Sequence, residues 1–265
     1  MKFFGDFVDI ISSAQNNLVK KLKLLSTRKG RKRFGEFIVE GAKFVSCISG
    51  DWEIQGIFVS ETFYNSPEYS IFSTGNPVVM KDSVFSQICD TVTPQGILAV
   101  VKTKEFLPEE LCSGENPFIL IACNLQDPGN LGTLIRTADA AGASGVMVSK
   151  DSADIFSPKV VRSTAGSLFN IPVATCDVEY AIGELKQKNI NIIATDLSAE
   201  SAPYEIDLTN PLAILIGNEA NGISQELLKL ADFKTKLPMI GKAESLNASV
   251  ASGVLMYEVL RQRRG

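Results

Sequence analysis

Histidine is absent from the 265-residue sequence, and this absence excludes several classes of enzyme. Without histidine, neither a Ser-His-Asp triad nor a Cys-His pair can be assembled, and no metal ion can be held by imidazole. The P-loop pattern GxxxxGK[ST] is also missing, so ATP-driven chemistry has no support. Any proton transfer near neutral pH must therefore use carboxylates, lysine, arginine or the substrate itself. No metal is expected.

Paired cysteines and long apolar runs are missing as well. No window approaches the roughly 18 consecutive apolar residues of a membrane span, and an early acid, Asp6, argues against a secretory signal. The cysteines are odd in number, scattered and without a CxxC pair, which indicates free thiols in a reducing compartment. We therefore expect a cytoplasmic protein without a membrane partner. The cysteines are Cys47, Cys89, Cys112, Cys123 and Cys176.

Acidic residues are absent from Ile10 to Phe34, although the whole chain has a net charge of −4. A local cluster of cations attracts phosphate backbones even when the chain as a whole is acidic. A solvated basic helix end is the alternative, but Ser26-Thr27 and Gly30 interrupt the charges as a flexible loop would. We expect eight residues of this cluster to bind RNA: Lys20, Lys21, Lys23, Arg28, Lys29, Arg31, Lys32 and Arg33.

The order of apolar and turn segments predicts two α/β domains. Residues 1–103 form a small unit, the polar and Pro/Gly-containing residues 104–117 form a linker, and residues 118–265 form a second unit. Strands alternate with helices in the second unit, which predicts a mostly parallel sheet covered on both faces. Helices are expected at Glu40–Ser49, 130–141, 158–167, 178–188, 224–230 and 247–263, and strands at 37–39, 54–59, 97–101, 118–122, 145–148, 171–174, 190–195 and 212–216.

Three polar segments of the second unit stand out as candidates for chemistry. In the first, Pro128-Gly129-Asn130 makes a turn before a helix, and Arg136 lies off the apolar face of that helix, where it can bind an anion. In the second, Gly217 ends a strand and lets a ligand approach the backbone. In the third, Asn247 or Ser249 can cap the last helix. Strand ends of open α/β sheets are where ligands bind.

Together these segments resemble motifs 1, 2 and 3 of the SpoU/TrmH family of RNA methyltransferases, in the SPOUT superfamily. Three motifs in order at compatible spacing are specific, and the resemblance covers about Phe118 to the C-terminus. More loosely, residues 13–102 resemble a ribosomal-protein-like RNA-binding domain. The matching cores are Asn130-x-Gly132-x-x-x-Arg136-Thr137-Ala138, Gly217-x-Glu219-x-x-Gly222 and Pro238-Met239-x-Gly241-x-x-Glu244-Ser245-Leu246-Asn247-x-Ser249-x-Ala251.

The resemblance implies a knotted (trefoil) α/β methyltransferase domain that works as a homodimer. It implies methyl transfer from S-adenosyl-L-methionine to a ribose 2′-hydroxyl of RNA, with 23S-type rRNA preferred because of the additional N-terminal domain. The methyl donor would be held by backbone groups of Thr195, Gly217, Leu237 and Leu246. The catalytic set would be Arg136, Asn130, Glu219, Ser245 and Asn247.

Three other functions compete with this interpretation. The substrate could be tRNA, or the protein could be a non-catalytic RNA-binding or assembly factor with the same fold; retention of Arg136 and Glu219 argues against the latter. A nicotinamide oxidoreductase is suggested only by the α/β alternation. Gly129-x-x-Gly132 lacks the full GxGxxG pattern, so this third alternative is the weakest.

Overall fold

The computed structural model describes residues 9–72, 76–218 and 220–264. The chain separates into two compact units. The first unit ends at Lys104 and also takes in Phe156–Arg162, whereas the second consists of Glu105–Ile155 and the chain from Ser163 onward. Each unit is described by itself below.

The first unit is a mixed α/β unit whose helices start at side-chain caps. Asn16 accepts a hydrogen bond from the backbone N–H of Leu18, and Thr27 accepts one from that of Gly30, as N-cap residues do. Its elements are α1 (Asn17–Leu25), α2 (Arg28–Phe34), β1 (Glu36–Glu40), α3 (Ala42–Val45), β2 (Ile54–Ser60), α4 (Glu61–Tyr64), a 3-10 helix (Pro67–Phe72), β3 (Val78–Met80), α5 (Asp82–Phe85) and β4 (Ile97–Lys102).

The sheet of the first unit has the order β1-β4-β2-β3. Strand β4 pairs antiparallel with both β1 and β2, and β2 pairs parallel with β3. Helix α1 buries Val19, Leu22 and Leu25 against one face of this sheet. The helical spacing of these three apolar positions leaves the lysines of α1 on its outer side.

The long helix predicted at Glu40–Ser49 is wrong, because the structure has only the four residues of α3 there. Gly41, with a φ of 103°, changes the direction of the chain after β1. The Ser46 hydroxyl and the Cys47 thiol both donate to the Lys43 carbonyl oxygen, at 2.8 and 3.2 Å. Side chains that bond nearby carbonyl groups compete with helix continuation, which accounts for the early end.

The second unit alternates strands and helices, as its sequence pattern predicts. Its elements are a 3-10 helix (Pro108–Cys112), β5 (Phe118–Ala122), α6 (Pro128–Ala140), β6 (Gly145–Ser149), a 3-10 helix (Ser167–Phe169), β7 (Val173–Cys176), α8 (Val178–Gln187), β8 (Asn191–Thr195), a 3-10 helix (Pro203–Glu205), β9 (Leu212–Ile216), α9 (Gln225–Leu230), β10 (Phe233–Thr235) and α10 (Ala248–Arg264). Helix α7 (Pro158–Ser163) lies between β6 and β7 along the chain, and all of it except Ser163 belongs to the first unit.

All pairings of this second sheet are parallel, and its order is β10-β8-β9-β5-β6-β7. Strands β5 and β9 are buried along their whole length, as expected for a sheet covered on both faces. The chain proceeds outward through β6 and β7, then returns to the other side of β5. The order of strands therefore reverses beside β5, and ligands of open α/β sheets bind near such a reversal at the carboxyl ends of strands.

Several predicted boundaries between residues 158 and 235 shift for local reasons. The helix predicted at 158–167 ends at Ser163, because Ala165 and Gly166 adopt positive φ angles of 53° and 101°. The strand predicted at 171–174 lies instead at Val173–Cys176, after Pro172, which has no N–H for a ladder. Strands β3 and β10 were not predicted; each has three residues and lies at the edge of its sheet.

All five cysteines are free thiols, and the two most buried ones lie in the core of the second unit. Burial raises the pKa of Cys123 to about 12 and that of Cys176 to about 11. Such thiols stay protonated and pack as small apolar side chains. No helix in the described part of the chain is long and apolar enough to cross a membrane.

Candidate functional site

A cavity of about 370 Å³ opens in the second unit at the carboxyl ends of β8, β9 and β10. Thr195 is the last residue of β8, Gly217 directly follows β9, and Leu237 follows β10 by two residues. These three residues and Leu246 all line the cavity. The structure therefore brings together the four residues predicted to hold the methyl donor.

The walls of this cavity are mainly apolar, with a few polar groups between them. Such a combination, at a volume above roughly 300 Å³, is typical of a small-molecule site. The apolar part of the lining comes from strand ends, from the loops that follow them and from helices α9 and α10. It includes Ile216, Ile223, Leu228, Leu237, Met239, Leu246, Ala248, Ala251 and Leu255.

The loop after β9 closes on itself beside the cavity. Asn218 and Gly222 exchange two backbone hydrogen bonds of 3.0 and 2.9 Å, and the Asn218 side chain accepts from the N–H groups of Ala220 and Asn221. A Cβ atom on Gly217 would lie 2.4 Å from the carbonyl carbon of Gly222. Glycine is thus required at position 217 because a side chain would collide with the backbone of the same loop. The reason predicted from the sequence was different, namely that glycine lets a ligand approach the backbone. Glu219, predicted to be catalytic, lies outside the described residues.

The segment 237–246 also contributes to the cavity lining, and its backbone lacks backbone partners in the described part of the chain. No backbone–backbone hydrogen bond within the described residues involves any residue of this segment. Leu237, Met239, Ser245 and Leu246 nevertheless line the cavity. Backbone N–H and C=O groups are obligatory hydrogen-bonding groups, so a bound molecule or water must satisfy those that face the cavity.

Asn130, Asn247 and Ser249 form a hydrogen-bonded group where α6 and α10 begin. Nδ2 of Asn247 donates to Oδ1 of Asn130 at 3.0 Å, and the Ser249 hydroxyl approaches the same oxygen at 3.5 Å. Oδ1 of Asn247 accepts from the N–H groups of Ser249 and Val250, which makes Asn247 the N-cap of α10. The role of Ser249 in this group was not predicted.

Helix α6 starts differently from the prediction. Its N-cap is Asp127, whose carboxylate accepts from the backbone N–H of Asn130 at 2.8 Å, and Pro128 occupies the first helical position. The segment Pro128-Gly129-Asn130, predicted as a turn before the helix, is therefore the first turn of the helix itself. The aspartate at the N-cap carries the negative charge favoured at a helix N-terminus.

Arg136 is exposed on α6, whereas Leu134 and Ile135 beside it are buried. Its possible intrahelical partner Asp139 accepts instead from the side-chain amide of Asn170, at 3.1 Å. Within the described residues no hydrogen bond or ion pair of Arg136 is found. None of the residues that the structure describes therefore occupies the guanidinium, which can bind a negatively charged group.

Two charged residues of the cavity wall, Asp196 and Lys236, were not among the predicted site residues. Asp196 directly follows Thr195, so its place next to a strand end was the available signal. Its backbone N–H donates to the Thr235 carbonyl oxygen at 3.0 Å and thereby extends the pairing of β8 with β10. Hydrogen bonding from the backbone N–H and hydroxyl of Ser198 lowers the pKa of the Asp196 carboxyl, with Lys234 and Lys236 acting in the same direction.

The eight cations of the first unit differ in their surroundings. Lys21 pairs with Glu36, Lys23 donates to Gln87, and Arg31 is only 5% exposed because its guanidinium donates to the carbonyl oxygens of Leu25 and Ser26. Arg31 thus joins the end of α1 to α2. The remaining five are exposed: Lys20, Arg28, Lys29, Lys32 and Arg33.

The second unit combines a parallel α/β sheet with a ligand cavity at its strand ends, and the first is a separate α/β unit with a basic cluster; this combination is typical of enzymes that bind a small molecule and act on an anionic partner. Residues 117–257 match the SpoU rRNA Methylase family, and residues 16–99 match the MRM3-like substrate binding domain. The chain belongs to the SpoU rRNA methylase family. The family resemblance, the α/β fold class and the assignment as an RNA methyltransferase are thereby confirmed.

Relatives along nearly the whole chain support the same family. The chain is 37% identical to a 23S rRNA (guanosine(2553)-2′-O)-methyltransferase, RlmP, of Bacillus subtilis strain 168, over 94% of this chain and 98% of the relative. It is 30% identical to a 23S rRNA (uridine(2479)-2′-O)-methyltransferase of Streptomyces viridochromogenes, over 91% and 88%. A crystal structure of an AdoMet-bound rRNA methyltransferase from Sinorhizobium meliloti superposes with a TM-score of 0.85 at 30% identity, covering 96% and 97%.

Proposed function

We propose that this enzyme transfers a methyl group from S-adenosyl-L-methionine to a ribose 2′-hydroxyl of 23S-type rRNA. The observation that carries the proposal is the cavity in which Thr195, Gly217, Leu237 and Leu246 meet at the strand ends. The relatives from Bacillus subtilis and Streptomyces viridochromogenes are 23S rRNA 2′-O-methyltransferases that differ in the nucleoside they modify, guanosine or uridine. Their names support the class of RNA and the ribose position.

The cavity fits the methyl donor in both size and chemistry. Its apolar walls suit a purine ring, and the unpaired backbone of 237–246 offers donors and acceptors to the edge of that ring. A related protein has been solved with AdoMet bound. When bound, the donor supplies an already activated sulfonium methyl group, so the protein needs to contribute positioning and control of charge.

Arg136 is the residue that we assign to the reacting ribose. An arginine guanidinium stays protonated in proteins, so it is poorly suited to act as a general base. It is well suited to bind the phosphate beside the target ribose and the negative charge that develops on the 2′-oxygen. Its exposed position on α6 leaves room for such a substrate.

Asn130, Ser245 and Asn247 orient the RNA around that arginine, together with Glu219. Asn130 and Asn247 are already joined by a hydrogen bond, and Ser245 is exposed at the wall of the donor cavity. Polar side chains that hydrogen-bond to one another keep their orientation when a substrate binds. This preorganisation reduces the entropy that must be lost to reach a reactive geometry. Ser245 would thus lie between the donor and the RNA.

RNA binding is assigned to the first unit, with residues 1–103 as the substrate-binding domain, 104–117 as the linker and 118–265 as the methyltransferase domain. The match of residues 16–99 to a substrate binding domain supports this division. Within it, the exposed cations around α2 provide the contacts to phosphate. Arg31 would act indirectly, by holding α2 against α1.

The working enzyme is proposed to be a cytoplasmic homodimer with a knotted C-terminal segment. Free thiols at all five cysteines agree with a reducing compartment. Helix α10 exposes Val250, Val254 and Tyr257 by 52, 46 and 53%, and the spacing of these residues puts them on one face. A second copy of the chain would cover this apolar face.

The direct test is an assay of the purified protein with methyl-labelled S-adenosyl-L-methionine and 23S rRNA. A 2′-O-methyl group blocks alkaline cleavage of the adjacent phosphodiester, so the expected product resists hydrolysis at one nucleotide. Transcripts of tRNA form the second arm. Label in tRNA alone would overturn the rRNA assignment, and label in neither RNA, with donor binding intact, would favour an RNA-binding or assembly factor.

A further inference from the structure

Asp196 places a carboxylate in the wall of the donor cavity. The side chain is 14% exposed, and the residue is fixed by the backbone hydrogen bond from its N–H to Thr235. Burying an ionised group is costly unless hydrogen bonds or opposite charges compensate it. The hydrogen-bond and ion-pair partners of its two carboxylate oxygens therefore indicate which chemical group of a ligand would complement the carboxylate.

The two carboxylate oxygens of Asp196 are not equally satisfied. Oδ1 accepts from the backbone N–H of Ser198 at 2.9 Å and from its hydroxyl at 2.8 Å. Oδ2 has Lys234 as an ion-pair partner at 3.9 Å, which is too far for a hydrogen bond. No residue in the described part of the chain donates a hydrogen bond to Oδ2. One oxygen of a mostly buried side chain thus retains its capacity to accept a hydrogen bond.

The charged residues around Asp196 determine which ligand group can donate a hydrogen bond to Oδ2. Lys234 and Lys236 both act on Asp196 electrostatically, so two cations already surround one carboxylate. A further cation, such as the α-ammonium of a methionine moiety, would be repelled by them. Neutral hydroxyl groups are not repelled by the lysines, and they donate strong hydrogen bonds to a carboxylate. In other nucleotide-binding sites an acidic residue accepts hydrogen bonds from ribose hydroxyls in this way.

We propose that Asp196 accepts hydrogen bonds from the ribose hydroxyls of the methyl donor and so selects ligands with an intact 2′,3′-diol. This inference rests on the proposed binding of S-adenosyl-L-methionine in the cavity. It adds a specificity-determining residue to the backbone contacts of Thr195, Gly217, Leu237 and Leu246. Asp196 would hydrogen-bond to the ribose of the donor, whereas the backbone groups would hydrogen-bond to the edge of the adenine base.

Calorimetric titration of the full-length protein with three probes tests the assignment. The probes are S-adenosylhomocysteine, 5′-methylthioadenosine, which lacks the amino-acid end, and the 2′,3′-dideoxy form of 5′-methylthioadenosine, which lacks the diol. Asp196→Asn keeps an oxygen for Ser198 and removes the charge. Glu200→Gln, an exposed acid of the same loop outside the cavity lining, is the matched control.

We expect Asp196→Asn to weaken binding of the first two probes by about 10- to 30-fold, the range for hydrogen bonds to a charged group. Binding of the dideoxy probe should be equal in the wild type and Asp196→Asn, and Glu200→Gln should bind all three as the wild type does. Equal binding of the dideoxy probe also shows that the cavity has kept its shape.

Two results would overturn the assignment. Loss confined to S-adenosylhomocysteine would move Asp196 to the amino-acid end of the donor, and an equal loss for the dideoxy probe would give it a purely structural role. A wild-type protein that binds none of the adenosyl probes would instead refute the proposed function itself. The two failures are therefore distinguishable in one set of titrations.

Discussion

Asn247 donates from Nδ2 to Oδ1 of Asn130 at 3.0 Å, across 117 residues of sequence. The same Asn247 caps α10 through its Oδ1, so one side chain both starts a helix and holds a predicted catalytic residue. Asn130 in turn lies in the first turn of α6, the helix that carries Arg136. This contact couples motif 1 to motif 3 within the second unit.

The two roles of Asn247 can be separated by two substitutions. Asn247→Ala removes the cap and should lower the free energy of unfolding by about 1 kcal/mol. Asn247→Asp retains a capping oxygen at a helix N-terminus, so its stability in urea should stay near that of the wild type. Because aspartate cannot donate to Asn130, both variants should lose methyl transfer. Full activity of Asn247→Asp would show that the contact with Asn130 is dispensable.

Arg136→Ala should lower methyl transfer by about 100-fold or more, under saturating RNA and donor, because a charge-stabilising group is lost. Donor affinity and thermal stability should be unchanged, since the side chain is exposed and outside the donor cavity. Arg136→Lys should recover part of the rate, as it keeps the charge and loses the planar fork. Lys186→Ala, which removes a surface cation from α8, is the control. A near-normal rate for Arg136→Ala would reject its assigned role.

The sequence predicted which residues meet at the strand ends better than it predicted their local geometry. Gly217, Leu237 and Leu246 lie in separate loops, yet the parallel alternation of strands already implied that such loops meet at one edge. The functions of Gly217 and Asp127 could not be read from the pattern. They depend on distances to Gly222 and Asn130, which exist only once the loop and helix have formed.

Edge strands and the partners of single cations could not be predicted either, because they too depend on contacts that form only in the folded chain. Strand β10 has three residues and no clear alternation, so its register on β8 comes from tertiary contacts. Arg31 is indistinguishable from Lys29 or Lys32 in a basic run. Its buried guanidinium donates to the carbonyl oxygens of Leu25 and Ser26 at the end of α1, tertiary contacts that charge spacing does not encode.

The exposed cations of α2 should contribute to RNA binding through counterion release. Lys29→Glu combined with Lys32→Glu should weaken RNA binding by tenfold or more at low salt and flatten its dependence on salt concentration. Affinity for S-adenosylhomocysteine should not change, because the donor cavity lies in the second unit. Fluorescence anisotropy with an rRNA fragment at several salt concentrations measures both quantities. Unaltered RNA binding would exclude α2 from the interface.

Arg31→Met provides the matched contrast within the same helix. Its buried guanidinium bonds two carbonyl oxygens, at 2.9 and 2.8 Å, which would lose these donors. The free energy of unfolding should fall by about 2 kcal/mol. The effect on RNA affinity should be small at temperatures where the variant is folded. A stable Arg31→Met with lost RNA binding would instead place Arg31 directly against the RNA.

Gly217→Ala should damage the donor cavity through the backbone alone. The added methyl group would lie 2.4 Å from the Gly222 carbonyl carbon and 2.6 Å from the Ile223 nitrogen, so the loop must open. Donor affinity should fall by at least tenfold in calorimetry. Gly183→Ala, in α8, is the control, because a Cβ there meets nothing within 4 Å and Gly183 does not line the cavity. Equal donor binding by both variants would contradict the tight closure of this loop.

The apolar face of α10 should decide the oligomeric state. Val254→Glu puts a charge between Val250 and Tyr257, and burying it against a second copy would be costly, so the dimer should dissociate. Analytical ultracentrifugation of the wild type should give twice the mass of the chain, and Val254→Glu should give the monomer mass. Val92→Glu alters a valine of the first unit that is 99% exposed and should leave the mass unchanged. A dimeric Val254→Glu would mean that copies of the chain associate through another surface.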